Sequence, residues 1–389
     1  MFCRYKTLKG LKVNRKAGWD THGLPVELGV EKELNITKDD IGNKISIQEY
    51  NKACRSAVMR YKTSWEKITK EMGYWVDMKN PYITYHNKYI ESVWWLLSEI
   101  HKKNLLYKGY TIQPYSPKAG TGLSTHELNQ PGCYRTVKDT SATAQFKVIK
   151  NTASKFLFKN TGNDVFFLAW TTTPWTLPSN TALGVGKNID YYLIESVNRY
   201  TNKPITVILA EKLFNNYFNV KNSVLKIKDY KGGGKLPYKI LSKFKGSDLE
   251  GLRYEQLFNY AKPTNGDCFK VVTADFVTTE NGTGIVHLAP SFGAEDNMVA
   301  KQKGIGSLTL VNKKGQFVKE VTDFAGMYVK NEFYDNEEST PELSADVQIT
   351  IKLKKENRCF KSEKYEHAYP HCWRTDKPIL YYPMDSWFV

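Results

Sequence analysis

Hydrophobic positions follow two different periods along the chain. Between Thr37 and Met72, and again from about Asn87 to Lys103, apolar residues recur at the three- and four-residue spacing of an α-helix. Residues 37–138 are therefore predicted to be helical and connective. In the second helix five apolar side chains share one face, which we expect to pack in a core: Ile90, Val93, Trp94, Leu97 and Ile100.

After Tyr107 the pattern changes to short β-branched and aromatic runs separated by Gly, Pro, Ser and Thr. Runs such as DVFFLAWTT, ITVILA and GTGIVHLA predict a β-rich domain at residues 139–345. KGGGK at 231–235 predicts a flexible loop, because Leu236-Pro237 supplies neither the helix nor the hydroxyl that a phosphate-binding loop needs. Before this region, LKVNRKAGWDTHGLP is typical of a strand that delivers a loop to the rim of an α/β sheet.

The length and net charge of the chain limit the classes of protein to which it can belong. A chain of 389 residues exceeds the ~250–300 residues at which one core stops growing, which indicates two or more domains. The net charge of +16 favours a polyanionic partner or an acidic membrane surface. No apolar run approaches the ~18–20 residues of a membrane span. Six scattered cysteines without a CxxC pair indicate a reducing compartment, and we expect a cytoplasmic protein.

GWDTHGLPVE at 18–27 is the first segment with candidate chemistry. Asp20 could hold a cationic amine, with the indole of Trp19 as an apolar wall and His22 as a hydrogen-bond donor. The alternative is a tight turn with a helix-capping Asp20 and a packed Trp19.

Two further segments carry candidate chemistry in the β-rich region. LAWTTTPWTLPSN at 168–180 presents threonine hydroxyls and backbone amides suited to a ribose, an ester carbonyl or a water, although a threonine-rich edge strand would have the same composition. In residues 273–296, His287 lies on a strand and Asp296 follows a turn, so both can converge on one pocket. The alternative for His287 is a purely structural histidine.

Together the three segments resemble the isoleucyl-tRNA synthetases, which are class I aminoacyl-tRNA synthetases. GWDTHGLPVE is similar to the family's GWDxHGLPxE element, and WTTTPWTLPSN to the threonine-rich peptide of its editing domain. GTGIVHLAPSFGAED is similar to that domain's GTGxxHxAPxxGxxD element, and CWRTDKPILYYPMDSWFV to the return into the catalytic sheet. The resemblance covers essentially the whole chain, and residues 87–124 resemble the eukaryote-type branch.

The residues after the threonines separate the related enzymes. The valyl and leucyl families resemble TTRPET or TTRPDT here, whereas this chain has Pro174 directly after Thr173 and Trp175 in place of the acidic residue. The resemblance is therefore to the isoleucyl family rather than to a valyl- or leucyl-type editing enzyme.

The resemblance implies an α/β fold in which a partial Rossmann-type catalytic domain carries an inserted β-rich editing domain. We expect residues 1–36 to be a remnant of the catalytic domain and residues 346–389 to be the connective segment that returns to it. The family's HIGH and KMSKS sequences occur nowhere in the 389 residues. We therefore expect this chain alone not to activate isoleucine or charge tRNA.

The resemblance also implies two sites. In the family the GWDxHG aspartate contacts the amino group of the amino acid, which assigns substrate binding to Trp19, Asp20 and His22. The editing residues would bind the terminal adenosine and the ester, sense the side chain and pair with the α-ammonium: Thr171, Thr172, Thr173, Asn180, His287 and Asp296. One methylene separates isoleucine from valine and is worth ~1–3 kcal/mol in a pocket, a limit for which these enzymes are the standard illustration. Because this difference is too small for one site to reject valine reliably, the resemblance implies a second site that hydrolyses valyl-tRNA.

The implied partners are tRNA for isoleucine, isoleucine and valine, bound by a monomer with no membrane contact. Editing would need no cofactor, whereas the full-length enzyme would use ATP and magnesium. A zinc site from Cys359, His367, His371 and Cys372 is conceivable, but their spacing fits no standard zinc module and favours a polar loop. A non-catalytic tRNA-binding module is the competing function, since +16 supports phosphate contacts with or without a working pocket.

Overall fold

The computed structural model describes residues 1–389, which form two compact units. The first consists of residues 1–108 with 387–389, and the second of residues 109–386. The sequence placed a boundary at 138/139; the four predicted domain segments stay a prediction. The helices are α1 Phe2–Leu8, α2 Leu24–Leu34, α3 Ile47–Met59, α4 Lys62–Glu71, α5 Asn87–Lys102, α6 Thr125–Leu128, α7 Gly246–Leu249, α8 Ala294–Lys303 and α9 Ala345–Lys355.

The strands concentrate in the second unit. They are β1 Lys16–Trp19, β2 Asp77–Ile83, β3 Tyr107–Ser116, β4 Thr121–Gly122, β5 Tyr134–Lys147, β6 Val165–Thr171, β7 Ala182–Val185, β8 Asp190–Val197, β9 Pro204–Ala210, β10 Lys239–Lys245, β11 Lys270–Thr273, β12 Ile285–Leu288, β13 Cys359–Pro370 and β14 Leu380–Phe388. Seven 3₁₀ segments complete the list: Lys38–Asp40, Lys155–Phe158, Pro174–Ser179, Glu211–Asn216, Val220–Val224, Ile227–Asp229 and Asn331–Phe333.

In the first unit the predicted helix at 37–72 is interrupted. It consists of a 3₁₀ turn, α3 and α4. Helix α3 begins at Ile47 because of a capping box at its N-terminus. The Ser46 side chain accepts the Glu49 N–H, and the Glu49 carboxylate accepts the Ser46 N–H. Strands β1 and β2 pair in parallel and form a two-stranded sheet.

Helix α5 confirms the predicted helix at 87–103 but not its burial. None of its residues is buried, and the side chain of Trp94 is 69% exposed. The expectation that this stripe packs in a core is wrong for these 389 residues, because a helical period shows only that apolar residues share a face and not that a partner covers it. No helix of the protein is both long and apolar enough to cross a membrane.

A six-stranded sheet in the order β10-β8-β9-β6-β5-β13 organises the second unit. Strand β6 is buried along almost its whole length, consistent with its unbroken apolar sequence. Edge strand β13 pairs antiparallel with β5, so the predicted connective segment contributes to the same sheet. Two three-stranded sheets, β11-β7-β12 and β14-β3-β4, complete the strands.

The predicted strand runs are confirmed, and residues 231–235 form neither helix nor strand. Three buried apolar clusters fill the second unit, and the fully buried members of the first, which has the most residues, include Phe146, Phe167, Tyr191, Leu193 and Ile208. This packed body supplies the rigid frame on which the candidate site is built.

Candidate active site in the second unit

A cavity of about 370 Å³, here called the threonine pocket, brings together four of the predicted editing residues. Thr171, Thr172, His287 and Asp296 all line it, although they lie on three separate elements. The remaining lining residues come from the end of β6, from the segment that leads into β12 and from the start of β12: Trp170, Phe276, Thr278, Asn281, Gly282, Thr283, Gly284, Ile285 and Val286.

The threonine segment leaves β6 at Thr171 and enters the 3₁₀ helix Pro174–Ser179. The Thr171 hydroxyl oxygen accepts the Thr173 N–H at 3.0 Å, which closes a turn that exposes Thr171 and Thr172 to the pocket. The Thr172 hydroxyl has no hydrogen-bond partner in the protein and is free to bind a ligand oxygen or a water.

Thr173 and Asn180 do not line the pocket; Asn180 contacts His287 directly, and Thr173 contacts Thr176, which in turn contacts His287. The Thr173 carbonyl accepts both the N–H (3.0 Å) and the hydroxyl (2.9 Å) of Thr176. Asn180 is buried, accepts the Tyr254 hydroxyl at 2.7 Å, and has its side-chain nitrogen 3.5 Å from Nδ1 of His287. Their predicted roles in binding the ester stay predictions.

His287 is held in one tautomer by these contacts. Its Nε2 lies 2.8 Å from the Thr176 hydroxyl oxygen, whose single proton is already donated to the Thr173 carbonyl. Nε2–H is therefore the donor, and Nδ1 is left as the acceptor, facing the Asn180 amide nitrogen, whose shorter hydrogen bond goes to the Ala182 carbonyl at 2.8 Å. Burial lowers the pKa of His287 to about 4, so the ring is neutral at physiological pH. A neutral, buried ring whose Nε2 donates to Thr176 and whose Nδ1 faces Asn180 forms a wall of the pocket rather than a general base.

Asp296 lies in the first turn of α8 and forms no ion pair. One carboxylate oxygen accepts the Ala289 N–H at 2.9 Å. Burial raises the pKa of Asp296 to about 6, with the Ala289 hydrogen bond acting in the opposite direction. A desolvated carboxylate with no cation beside it is suited to binding a positively charged ligand group.

Two glycines allow the pocket walls to approach closely. Gly284 has φ +72°, and a Cβ there would lie 2.4 Å from the Cβ of Ala210. At Gly293 the backbone conformation is ordinary, but a Cβ would lie 2.7 Å from Cγ of Asp296. Position 293 therefore favours glycine, because any side chain there would collide with the Asp296 carboxylate.

Gly293→Ala is expected to displace the Asp296 carboxylate from its hydrogen bond with Ala289. Overpacking of this kind costs about 1–3 kcal/mol, so thermal unfolding should occur at a lower temperature and any activity that needs Asp296 should fall. Gly162→Ala is the matched control, because a Cβ at Gly162 meets nothing within 4 Å. Equal melting temperatures for both variants would contradict the predicted clash.

In the first unit, the GWDTHG residues lie at the end of β1. Asp20 and His22 are exposed, and Asp20 accepts the His22 N–H at 3.3 Å. Trp19 is partly buried and its indole N–H has no partner. The turn is fixed by Thr21, whose N–H donates to the Thr84 hydroxyl at 2.9 Å. Their substrate-binding roles stay predictions.

The four residues considered for zinc do not form a metal site. No group of three or more His, Cys, Asp or Glu side chains is arranged to hold a metal ion. His367 instead lies 3.2 Å from the Asp139 carboxylate, and Nδ1 of His371 contacts the Tyr369 carbonyl at 2.9 Å. Cys359 and Cys372 are buried.

Three supporting residues were not predicted from the sequence. Thr176 lies within the threonine-rich segment, and its contact with His287 could have been suspected from that position alone. Tyr254 contacts Asn180, and Asp346 accepts the Trp175 N–H at 2.8 Å. Neither Tyr254 nor Asp346 lies in a segment with any distinguishing pattern, so only the tertiary structure reveals them.

The chain belongs to the class I tRNA synthetases of the I, L, M and V group, whose family model matches residues 1–389. Its relatives include the isoleucine–tRNA ligases of Cytophaga hutchinsonii (59% identical over 409 residues) and Bacteroides fragilis (57% over 416 residues). Each alignment covers 100% of this chain and 36% of the relative. The isoleucine–tRNA ligase of Clostridium acetobutylicum is 45% identical over 386 residues, covering 99% of this chain and 32% of its own. The chain thus spans about a third of the length of these relatives.

Among solved structures, the chain is similar to a leucyl-tRNA synthetase domain described as GlLeuRS-CP1. It is 16% identical with a TM-score of 0.37, covering 57% of this chain and 99% of that one. The cytosolic leucyl-tRNA synthetase editing domain of P. knowlesi is 14% identical with a TM-score of 0.40, covering 60% and 97%.

Proposed function

We propose that this chain carries the hydrolytic editing site of an isoleucine–tRNA ligase and that it hydrolyses valyl-tRNA for isoleucine. The observation that carries the proposal is the unpaired carboxylate of Asp296 in a pocket that also contains Thr171 and Thr172. An aminoacyl ester has an α-ammonium group, an ester carbonyl and a ribose, and the pocket offers a group suited to each.

In the proposed mechanism Asp296 binds the α-ammonium group and so fixes the ester carbonyl against the threonine segment. A water attacks the carbonyl carbon, the bond from that carbon to the ribose oxygen breaks, and the ribose oxygen takes a proton. The Thr172 hydroxyl and neighbouring backbone amides stabilise the negative charge that develops on the carbonyl oxygen. No protein nucleophile takes part, because no hydroxyl in the pocket contacts a group able to act as its base.

Discrimination would come from the size of the pocket. The neutral ring of His287 is fixed by Thr176 and Asn180, so it presents a rigid wall to the amino-acid side chain. A side chain one methylene larger than valine would meet that wall, which is how a second site rejects isoleucine.

The remaining proposals concern the whole synthetase. A Rossmann-type catalytic domain would include β1 and β2, Asp20 would contact the amino group of isoleucine, and tRNA would account for the charge of +16. We propose a cytoplasmic monomer. Hydrolysis uses water alone, whereas ATP with magnesium belongs to the aminoacylation reaction of a full-length enzyme.

Valyl-tRNA for isoleucine is expected to lose its valine rapidly in the presence of this chain, while isoleucyl-tRNA is expected to survive. The measurement is release of radiolabelled amino acid under single-turnover conditions, with buffer alone as the control. Tight tRNA binding without hydrolysis of either ester would instead establish the non-catalytic binding module. A covalent valyl-protein recovered by acid quench would contradict the water mechanism.

A further inference from the structure

A buried carboxylate outside the pocket contacts the threonine segment. Asp346 is 3% exposed and lies in the first turn of α9, yet one of its oxygens accepts the Trp175 N–H at 2.8 Å. Trp175 is the second residue of the 3₁₀ helix Pro174–Ser179. The two groups are 171 residues apart in sequence.

This hydrogen bond replaces a local helix cap. The first N–H groups of a helix have no partner within it and normally receive one from the side chain of the preceding residue. That residue is Thr173, whose side chain makes no capping hydrogen bond and lies 3.3 Å from the Thr171 hydroxyl instead. The acceptor from α9 therefore leaves the Thr173 side chain free to shape the turn next to the pocket.

Asp346 is itself held in place by a buried cation. The Lys330 ammonium, on a side chain that is 7% exposed, lies 3.7 Å from the second oxygen of Asp346 and 2.8 Å from the Asp139 carboxylate. Asp139 also contacts His367 at 3.2 Å, and the ammonium lies 4.8 Å from the centre of the Tyr369 ring. With both of its carboxylate oxygens engaged, Asp346 has little freedom to rotate.

The same contact reaches the turn between His287 and Asp296. The ring of Trp175 is buried and packs edge-on against Phe292, with centroids 5.1 Å apart. Phe292 lies in the turn that joins His287 to Asp296. Fixing the Trp175 backbone therefore constrains both the threonine segment and the turn that carries the ammonium-binding carboxylate.

We propose that Asp346, with Lys330 as its counter-ion, is a positioning residue for the threonine pocket. Its kinetic consequence rests on the proposed hydrolytic function; its effect on the threonine segment does not. Asp346 touches no substrate and acts through the Trp175 N–H.

Two substitutions at one position separate the hydrogen bond from the charge. Asp346→Ala removes the acceptor, and we expect hydrogen exchange at the Trp175 amide to accelerate about tenfold or more. The kcat for valyl-tRNA hydrolysis should fall about tenfold to a hundredfold, the range that a displacement of about 1 Å produces, while KM changes less than about threefold. Asp346→Asn keeps a carbonyl oxygen for the Trp175 N–H and should retain both the slow exchange and most of kcat.

Thr350→Val is the matched control on the same helix. Its buried hydroxyl donates to the Asp346 backbone carbonyl at 2.7 Å, so the substitution perturbs α9 without touching Trp175. Its kcat and Trp175 exchange should stay near the wild-type values. If Asp346→Ala does not fold, the double variant with Lys330→Met removes the buried cation as well and is expected to show the same losses.

The outcomes are distinguishable. Unchanged Trp175 exchange in Asp346→Ala, or a kcat equal to that of Thr350→Val, would overturn the positioning role. Absence of hydrolysis by the wild-type chain would sink the proposed function only, because the exchange measurement still tests whether Asp346 holds the threonine segment.

Discussion

Replacing Asp296 with alanine is expected to reduce valyl-tRNA hydrolysis about a hundredfold or more. Removing one partner of a buried charge pair costs about 2–5 kcal/mol, and each 1.4 kcal/mol is a factor of ten in rate. The loss should appear in kcat/KM, because the ammonium group is bound in the ground state as well as in the transition state. Single-turnover release of labelled valine measures it.

The pH dependence of that activity follows from the raised pKa of Asp296. Only the ionised carboxylate pairs with an ammonium group, and its pKa of about 6 means that kcat/KM should fall as the pH drops through about 6. Glu295→Ala removes an exposed acidic residue on the same helix turn and is the control at pH 8, where it should keep the wild-type rate; because the charge of Glu295 contributes to the raised pKa of Asp296, its activity should fall at a lower pH than that of the wild type. Equal rates for wild type and Asp296→Ala would exclude the ammonium-binding role.

The same carboxylate should make the fold less stable at neutral pH. Its pKa is higher in the folded chain than the ordinary 3.8, so the folded state holds the proton more tightly and stability falls as the pH rises from about 4 through 6. Asp296→Asn should therefore unfold at a higher temperature than wild type at pH 8, by up to about 3 kcal/mol of unfolding free energy, and should lose that advantage near pH 4. If Asp296→Asn is inactive in valyl-tRNA hydrolysis but unfolds at a higher temperature than the wild type, Asp296 has a functional rather than a structural role.

Lys330→Met is expected to have the largest effect on stability of any single substitution considered. Removing one partner of a buried ion pair costs about 3–5 kcal/mol, and Lys330 lies between two carboxylates, Asp139 and Asp346. Burial raises the pKa of Asp346 to about 7 even beside the ammonium group. Urea denaturation at constant pH measures the loss.

Lys243→Met is the matched control for that substitution. Lys243 also contacts two carboxylates, Asp190 and Glu211, but its side chain is 46% exposed, so Lys243→Met should change the free energy of unfolding far less than Lys330→Met does. The cost of Lys330→Met should shrink from pH 8 to pH 5, because burial raises the pKa of Asp346 to about 7 and this carboxylate becomes protonated and neutral over that range. Similar costs for the two lysines would show that the buried network contributes little.

The sequence predicted residues that line the threonine pocket but not the residues that hold them in place. Thr171, Thr172, His287 and Asp296 were identified because the two segments that contain them resemble the editing motifs of the isoleucyl-tRNA synthetases; composition alone left structural alternatives open. Asn180 was identified too, but its place behind His287 depends on Tyr254, which no local pattern marks. The buried stripe expected on α5 failed for a related reason, since periodicity cannot tell whether a partner covers a face.

What the sequence by itself determined is therefore local: the strands of the second unit, the turns at glycine, and the residue types that enter the pocket. The tertiary structure alone decided how those residues are held. Asp346 reaches Trp175 across 171 residues, and Lys330 meets Asp139 across 191. The physical reason is that propensity and period act between near neighbours in the chain, whereas burial, which shifts the pKa of Asp296 and stabilises the Lys330 network, exists only after distant segments have packed.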